Sequence, residues 1–376
     1  MPVCLSRNGG FVILTGPTNK AEGIVIMRES DQQTPAGRFA RIVTHDDFDG
    51  VVSAALCSLA EGIDDFRFAG PGAILDAGLE VASDTIVCDL PHHPAAGLWF
   101  DHHVGNFEDY CLKGGEPEAV GDTFGEEKSC ARVVYRYYRD RGFTFPAFIG
   151  ETVEETDTVD SFDYKDLEDW QRQTPGKILS DTLRISFPSR GERNRYMRHL
   201  IRRIRESALE EVLKDSEVQE KSGLYREAEE KSRALIERLA SFRPEDEGQE
   251  VVLLDTTGLK HAPYIIKSLA FLSYPRAAAV LEVKSLFRQN RKTNDLAFSM
   301  SLSPSLELAS SEKDVGEIMR SLNMGDGHRG AGAGRIQARS KAEMIKQKEQ
   351  ILQKIMGMWR NQRTAGVDAP GEGRSG

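Results

Sequence analysis

Arg41-Ile-Val-Thr-His-Asp-Asp-Phe-Asp-Gly50 decides the fold, because here a short apolar run breaks into metal-ligand side chains and a glycine. Val51-Val-Ser-Ala-Ala-Leu-Cys-Ser-Leu-Ala60 follows, so the stretch reads as strand, turn, helix. In an α/β sheet such a turn lies at the carboxyl end of the strand, where ligands bind. With Ile42 to Thr44 in the strand, His45, Asp47 and Asp49 project from the loop. One imidazole and two carboxylates at alternate positions suit a divalent cation. The competing reading is an acidic turn that caps the helix, with Gly50 present for its permissive dihedrals. Half an EF-hand is excluded, since counting from His45 puts Leu56 where the bidentate glutamate belongs.

Candidate strands at Ala40 to Thr44, Phe66 to Ala69, Thr85 to Leu90 and Leu98 to His102 alternate with helices at 50–61 and about 128–141. That alternation predicts an α/β domain with a mainly parallel, doubly wound sheet. Thr85-Ile-Val-Cys-Asp-Leu-Pro91 delivers Asp89 at a strand end, and Trp99-Phe-Asp-His-His-Val-Gly-Asn106 delivers Asp101, His102 and His103. Strand neighbours point to opposite faces, so two adjacent histidines rarely both find buried partners by chance. Of the eight histidines, five (His45, His92, His93, His102, His103) fall beside strand ends that bear an aspartate. This distribution favours a two-metal site over a helix cap. His92 and His93 lie past the strand end and read as exposed loop histidines. In Glu151-Thr-Val-Glu-Glu-Thr-Asp-Thr-Val-Asp-Ser161, Asp157 and Asp160 share a helix face, which reads as a solvated acidic helix with one aspartate at the metals.

The ordered set His-x-Asp-x-Asp-Gly, Asp, Asp-His-His and a later Asp resembles the DHH superfamily of phosphoesterases. That family includes RecJ-type single-strand exonucleases, oligoribonucleases, cyclic-dinucleotide phosphodiesterases and a branch of inorganic pyrophosphatases. The resemblance implies a first metal on His45 and Asp47, a second on Asp49 and His102, Asp89 bridging them, and Asp160 or Asp157 as a further ligand. It also implies that His103 contacts the substrate phosphate and that Asp101 orients a ligating histidine. In the pyrophosphatase and oligoribonuclease branches the first histidine stands four residues before the first Asp. His45 is only two before Asp47, nearer the RecJ arrangement, where an acid holds that place.

At 376 residues the chain suits two domains, and its composition, 39% hydrophobic and 29% charged, is that of a soluble globular protein. It has no apolar run near the roughly 20 residues needed to span a bilayer, and Met1 to Gly10 lacks the apolar core of a signal peptide, so a cytoplasmic location and no membrane partner are expected. Five scattered cysteines without a Cys-x-x-Cys pair read as reduced thiols. A net charge of −10 does not exclude nucleic acid, because a metal site and local basic patches reverse the field where it matters.

Residues 1–38 form an N-terminal extension with a hairpin pattern, Gly10 to Thr15 and Gly23 to Met27; residues 39–163 are the metal-binding catalytic domain. Residues 164–248, rich in Glu, Lys and Arg, read as a helical connector. There Arg184, Arg190, Arg193, Arg195, Arg198, Arg202, Arg203 and Arg205 make either a stripe that tracks a phosphate backbone, with Tyr196 or Phe187 stacking on a base, or a solvated basic face. Residues 249–340 read as a smaller C-terminal α/β domain with strands Val251 to Asp255, Ala277 to Val283 and Leu296 to Leu302, and a helix near 260–272. The glycine-rich loop Asn323-Met-Gly-Asp-Gly-His-Arg-Gly-Ala-Gly-Ala-Gly334 lets the backbone approach an anion. It is similar to the Gly-Gly-Gly-His loop of the DHH-associated C-terminal domain, with Asp326 where that motif has glycine. The similarity implies substrate contacts from Gly325, Gly327, His328, Arg329 and Gly330. Residues 341–376 read as a charged helix and a disordered tail.

The expected protein is therefore a two-domain α/β phosphoesterase with two divalent cations, Mn²⁺ or else Mg²⁺, on hard oxygen and nitrogen ligands. A cleft closed by the glycine loop is expected to select oligonucleotides or single-stranded nucleic acid ends. The alternatives are a phosphatase for cyclic dinucleotides or other small nucleotides, and a non-catalytic nucleic-acid or replication and repair scaffold. Oligomeric state stays open between monomer and homodimer.

Overall fold

The computed structural model describes residues 38–74, 79–261, 263–289, 291–303 and 313–362. The expected N-terminal hairpin and disordered tail lie outside the described residues. By contacts the chain divides into two compact units, one holding residues up to Asp46 and Gly50–Pro146, the other Asp47–Asp49 and residues from Ala147 onward. Among the described residues, no helix is long and apolar enough to cross a membrane.

The first unit runs β1 (Arg41–His45), α1 (Phe48–Glu61), β2 (Phe66–Ala69), β3 (Thr85–Cys88), β4 (Leu98–Phe100), α2 (Val104–Leu112), α3 (Pro117–Val120) and α4 (Cys130–Asp140). Its sheet has the order β2-β1-β3-β4, with every pair parallel. Ile42, Val43 and Thr44 in the centre of the sheet have no exposed surface, and all four residues of β3 are buried. Strands covered on both faces need continuous apolar runs rather than alternation, which is why these segments are read so directly. Val43, Val87 and Trp99 gather one core cluster with Leu90 and Ile74. Gly50 is required at the start of α1: a Cβ there would overlap the His45 carbonyl oxygen and sit 2.8 Å from its carbon. That close approach lets Thr44 Oγ1 donate to Gly50 O at 2.7 Å, tying the end of β1 to the first turn of α1.

The second unit continues with α5 (Ile149–Asp160), α6 (Leu167–Gln171), α7 (Pro175–Leu183), α8 (Arg190–Glu206), α9 (Leu209–Val212), α10 (Ser216–Leu239), β5 (Ala240–Ser241), β6 (Val251–Asp255) and α11 (Ala270–Ser273). It ends with β7 (Ala279–Arg288), β8 (Arg291–Leu302), α12 (Val315–Ser321), β9 (Gly325–His328), β10 (Ala331–Ile336) and α13 (Lys341–Asn361). Six strands are ordered β5-β6-β7-β8-β10-β9, and only β6 and β7 are parallel. One face buries Leu281, Val283, Phe298 and Met300 against α12 and α13. Part of the other buries Val252, Leu254 and Val280 with Tyr225 and Ile236 of α10 and Phe271. The architecture is the expected one: two α/β sheets with a helical stretch between them in sequence.

Three details differ from the sequence reading. The helix expected near 260–272 shrinks to a 3₁₀ turn at Lys267–Leu269 and the single turn of α11, because Pro263 withholds a backbone donor from the segment. The glycine-rich loop is a hairpin, β9 and β10, in which Ala331 pairs with His328 across the two residues Arg329 and Gly330. Its glycines have a packing reason: a Cβ on Gly327 would overlap Gly332 Cα of the facing strand, and one on Gly332 would sit 3.2 Å from Val315 Cγ1 of α12. Finally α13 is core rather than tail, since Leu352, Ile355, Met356 and Trp359 are buried against the sheet.

Candidate metal centre

Asp89 is the residue the first sheet is arranged to present. It follows β3, its backbone N–H donates to Phe100 O of β4 at 2.9 Å, and its φ is +56°. Asp and Asn enter this left-handed region more readily than other side chains, at a cost of about 1–2 kcal/mol. Each large apolar residue buried in β3 returns about 1.5–3 kcal/mol, so the sheet carries the strain.

The Asp89 side chain is 1% exposed, and its two oxygens face different histidines: Oδ2 lies 3.3 Å from His45 Nδ1, Oδ1 3.7 Å from His102 Nε2. Both separations exceed the roughly 2.7–2.9 Å of a charge-assisted hydrogen bond. They are close to the edges of a coordination shell, where bonds of about 2.1 Å place neighbouring ligand atoms about 3.0–3.4 Å apart. The donor set around Asp89 therefore fits a divalent cation.

His102 is oriented from behind. Its Nδ1 lies 3.1 Å from the Glu127 carbonyl, which can only accept, so the proton sits on Nδ1 and the Nε2 lone pair is turned to Asp89. Asp101, fully buried, accepts from the backbone N–H groups of His102 at 2.7 Å and His103 at 3.1 Å, and from Asn106 Nδ2 at 2.6 Å. Its Oδ1 also accepts from His103 Nδ1 at 2.9 Å. The ring that Asp101 holds is thus that of His103, while the ligand-like His102 ring is held by Glu127, a backbone partner with no sequence signal. His103 has its Nδ1 engaged with Asp101 and 3.5 Å from Asp89 Oδ1, and its side chain is 52% exposed.

Asp89, His102 and His103 bring ligand atoms within 4.8 Å of one another in the first unit, and in the second Asp49 and Asp160 do the same. Asp157 joins no such group among the described residues, so Asp160 is the better placed of the two. Asp47 is partly buried on the loop two residues beyond His45.

His92 is not a loose loop histidine. It packs edge-on against Trp99 and Tyr110, at centroid distances of 5.2 and 4.6 Å, and burial, with smaller pushes from His93 and Lys113, lowers its pKa. Tyr196 does not offer a stacking face: it is fully buried and donates to Thr182 Oγ1 at 2.8 Å, with Phe187 packed on it. Several arginines of the α8 stripe have acidic partners, Arg195 with Glu217 and Arg203 with Glu206 and Asp215. In the hairpin, Arg329 is exposed and its Nε donates to Lys313 O at 3.2 Å, while Arg320 Nη1 donates to Gly327 O at 2.7 Å.

No family model matches the chain, and no curated protein does. Solved structures do. The pGpG-specific phosphodiesterase PggH from Vibrio cholerae aligns at TM-score 0.64 and 24% identity, over 86% of this chain and all of that one. RecJ from Thermus thermophilus, in complex with Mn²⁺, aligns at TM-score 0.51 and 14% identity, over 89% of this chain and 54% of that one.

Proposed function

We propose that this chain, which has the two-domain α/β fold of DHH phosphoesterases, is a divalent-metal-dependent phosphodiesterase acting on oligonucleotides or single-stranded nucleic acid ends. The observation that carries the reading is the buried Asp89 carboxylate with an imidazole nitrogen facing each of its oxygens. His45, Asp47, Asp49, Asp89, His102 and Asp160 are the proposed ligands, and Mn²⁺, present in the RecJ structure, the proposed ion, with Mg²⁺ as substitute. A pair of divalent cations supplies Lewis acidity, polarising phosphoryl oxygens and making water a nucleophile at neutral pH. The chain's part is positional. Glu127 fixes the tautomer of His102, and Asp101 holds the proton of His103 on Nδ1 and stabilises that ring when its Nε2 is also protonated. From there Nε2 of His103 meets the phosphoryl group. Arg329 and the hairpin residues Gly325, Gly327, His328 and Gly330 are proposed to contact the rest of the substrate.

The test is to incubate the protein with end-labelled DNA and RNA oligomers of several lengths, beside bis-p-nitrophenyl phosphate, cyclic dinucleotides and pyrophosphate. Diester cleavage with Mn²⁺, none with EDTA and recovery on adding Mn²⁺ back is expected. A protein that binds no metal and cleaves no diester is a scaffold instead. A second reading, a small-nucleotide phosphodiesterase, is favoured by the likeness to PggH and is selected if dinucleotides turn over and longer oligomers do not.

Asp101→Asn keeps the side chain's shape and an acceptor for the backbone N–H groups but removes the anionic partner of His103. Activity is expected to fall by about 10- to 100-fold with bound metal unchanged. A parental rate takes His103 out of the reaction.

A further inference from the structure

α5 ends at Asp160, a proposed metal ligand, and the turn that follows is strained. Phe162 takes a φ of +55°, and the Asp163 N–H donates to Thr158 O at 3.2 Å, closing the helix. Glycine ordinarily fills such a place, and a bulky side chain there is costly. Among the described residues Phe162 is the one aromatic with a positive φ. Strain of this kind persists where the surroundings impose it, and it gathers at binding sites. Here the turn holds up a ring. Phe162 stands edge-to-face with Tyr164 at a centroid distance of 5.2 Å and lies 6.3 Å from the Trp170 ring, yet stays 37% exposed. The support beneath is firm: Trp170 belongs to the core cluster around Tyr225, and Lys177 Nζ lies 5.8 Å from its ring centroid while pairing with the buried Asp181 at 2.8 Å. Arg184, half exposed, has Nη1 3.7 Å from the same carboxylate. Burial raises the pKa of Tyr164, to about 12, and of the exposed Tyr264, and the nearby Arg184 charge opposes both rises.

We propose that the Phe162 ring, with Arg184 as the neighbouring cation, is a stacking site for an unpaired nucleobase of the substrate; that the ligand is a nucleotide rests on the function proposed above. An aromatic face and a loosely held guanidinium both stack on planar rings. Two residues of chain span at most about 7 Å, so a ring this close to Asp160 meets the base of a nucleotide whose phosphate lies at that carboxylate. An aromatic face takes any base but needs its faces free, so the site favours single strands and short ends over duplexes without reading sequence.

The experiment uses the full chain in EDTA, where turnover does not intervene, and 2-aminopurine riboside 5′-monophosphate, whose fluorescence falls when its base stacks. The parent is expected to quench the probe saturably, AMP to displace it, and ribose 5-phosphate, which carries the phosphate without a base, to displace it about tenfold less well or worse. Phe162→Leu weakens binding of the probe by about tenfold, Arg184→Met by less, and Phe162→Tyr keeps most of it. In the parent itself, one ring-labelled phenylalanine resonance, the one missing from Phe162→Tyr, shifts in the ring current of the bound base, and this holds whether or not the leucine variant folds. With Mn²⁺, Phe162→Leu raises KM for a single-stranded oligomer more than it lowers kcat. An unquenched probe, a Phe162 resonance that ignores it, parental affinity in Phe162→Leu, or ribose 5-phosphate competing as well as AMP overturns the stacking site. Quenching that depends on Phe162 in a protein inert with Mn²⁺ refutes the catalytic reading alone.

Discussion

Asp89→Asn is expected to abolish the proposed diester cleavage, by about 10³-fold or more, while the metal-free protein melts within a few degrees of its parent. The variant isolates chemistry from folding for two reasons. Asn has nearly the same shape, and it tolerates the +56° φ that this position imposes, whereas Asp89→Ala adds about 1–2 kcal/mol of backbone strain to the loss of the ligand. Calorimetry or a thermal melt with and without Mn²⁺ makes the distinction. A ligand present at a hundred times its dissociation constant stabilises the folded state by about 2.7 kcal/mol. The parent shows that rise and Asp89→Asn does not. A variant that retains both the rise and the rate removes Asp89 from the metal site and with it the proposed bridging geometry.

Gly50→Ala is the second large effect, and it acts on the scaffold. Its new Cβ would overlap backbone, the carbonyl of His45, rather than a side-chain end that can swing away. Either β1 and α1 separate, losing the Thr44 to Gly50 bond, or His45 shifts. A cost of about 1–3 kcal/mol is expected from denaturant midpoints in the absence of metal, together with a weakened response to Mn²⁺. Stability within about 0.5 kcal/mol of the parent shows that the turn has slack and that the glycine answers some other need.

The features readable from the chain are those in which one residue type has one physical reason to be there. β1 to β4 were recognisable because buried parallel strands must be unbroken apolar runs, and their ends differ from expectation by only one or two residues. Asp89 and His102 stand out as candidates because α/β sheets bind ligands at the carboxyl ends of their strands, and the structure brings the two side chains to 3.7 Å. What stayed hidden depends on backbone or on distant pairing. The orienting carbonyl of Glu127 lies 25 residues from His102 and belongs to no side chain. The positive φ of Asp89 leaves no trace in its identity, since Asp is ordinary at a strand end. In the hairpin, a glycine after Arg329 between short segments was itself a turn signal, outweighed by the surrounding glycines. In α13 the spacing of Leu352, Ile355, Met356 and Trp359 marks one apolar stripe, obscured by the lysines and glutamates around it.

That last helix has a consequence for how the protein is made. Lys313 Nζ donates to the Trp359 carbonyl at 2.7 Å and lies 4.2 Å from its ring centroid, and Trp359 Nε1 donates to Glu250 at 2.8 Å, so α13 is bolted to the back of the sheet. On the ribosome, all six strands emerge before it does. Until those residues have left the exit tunnel, the part of that apolar face which α13 covers and α12 does not stays bare, a surface on which nascent chains stick to one another or recruit chaperones.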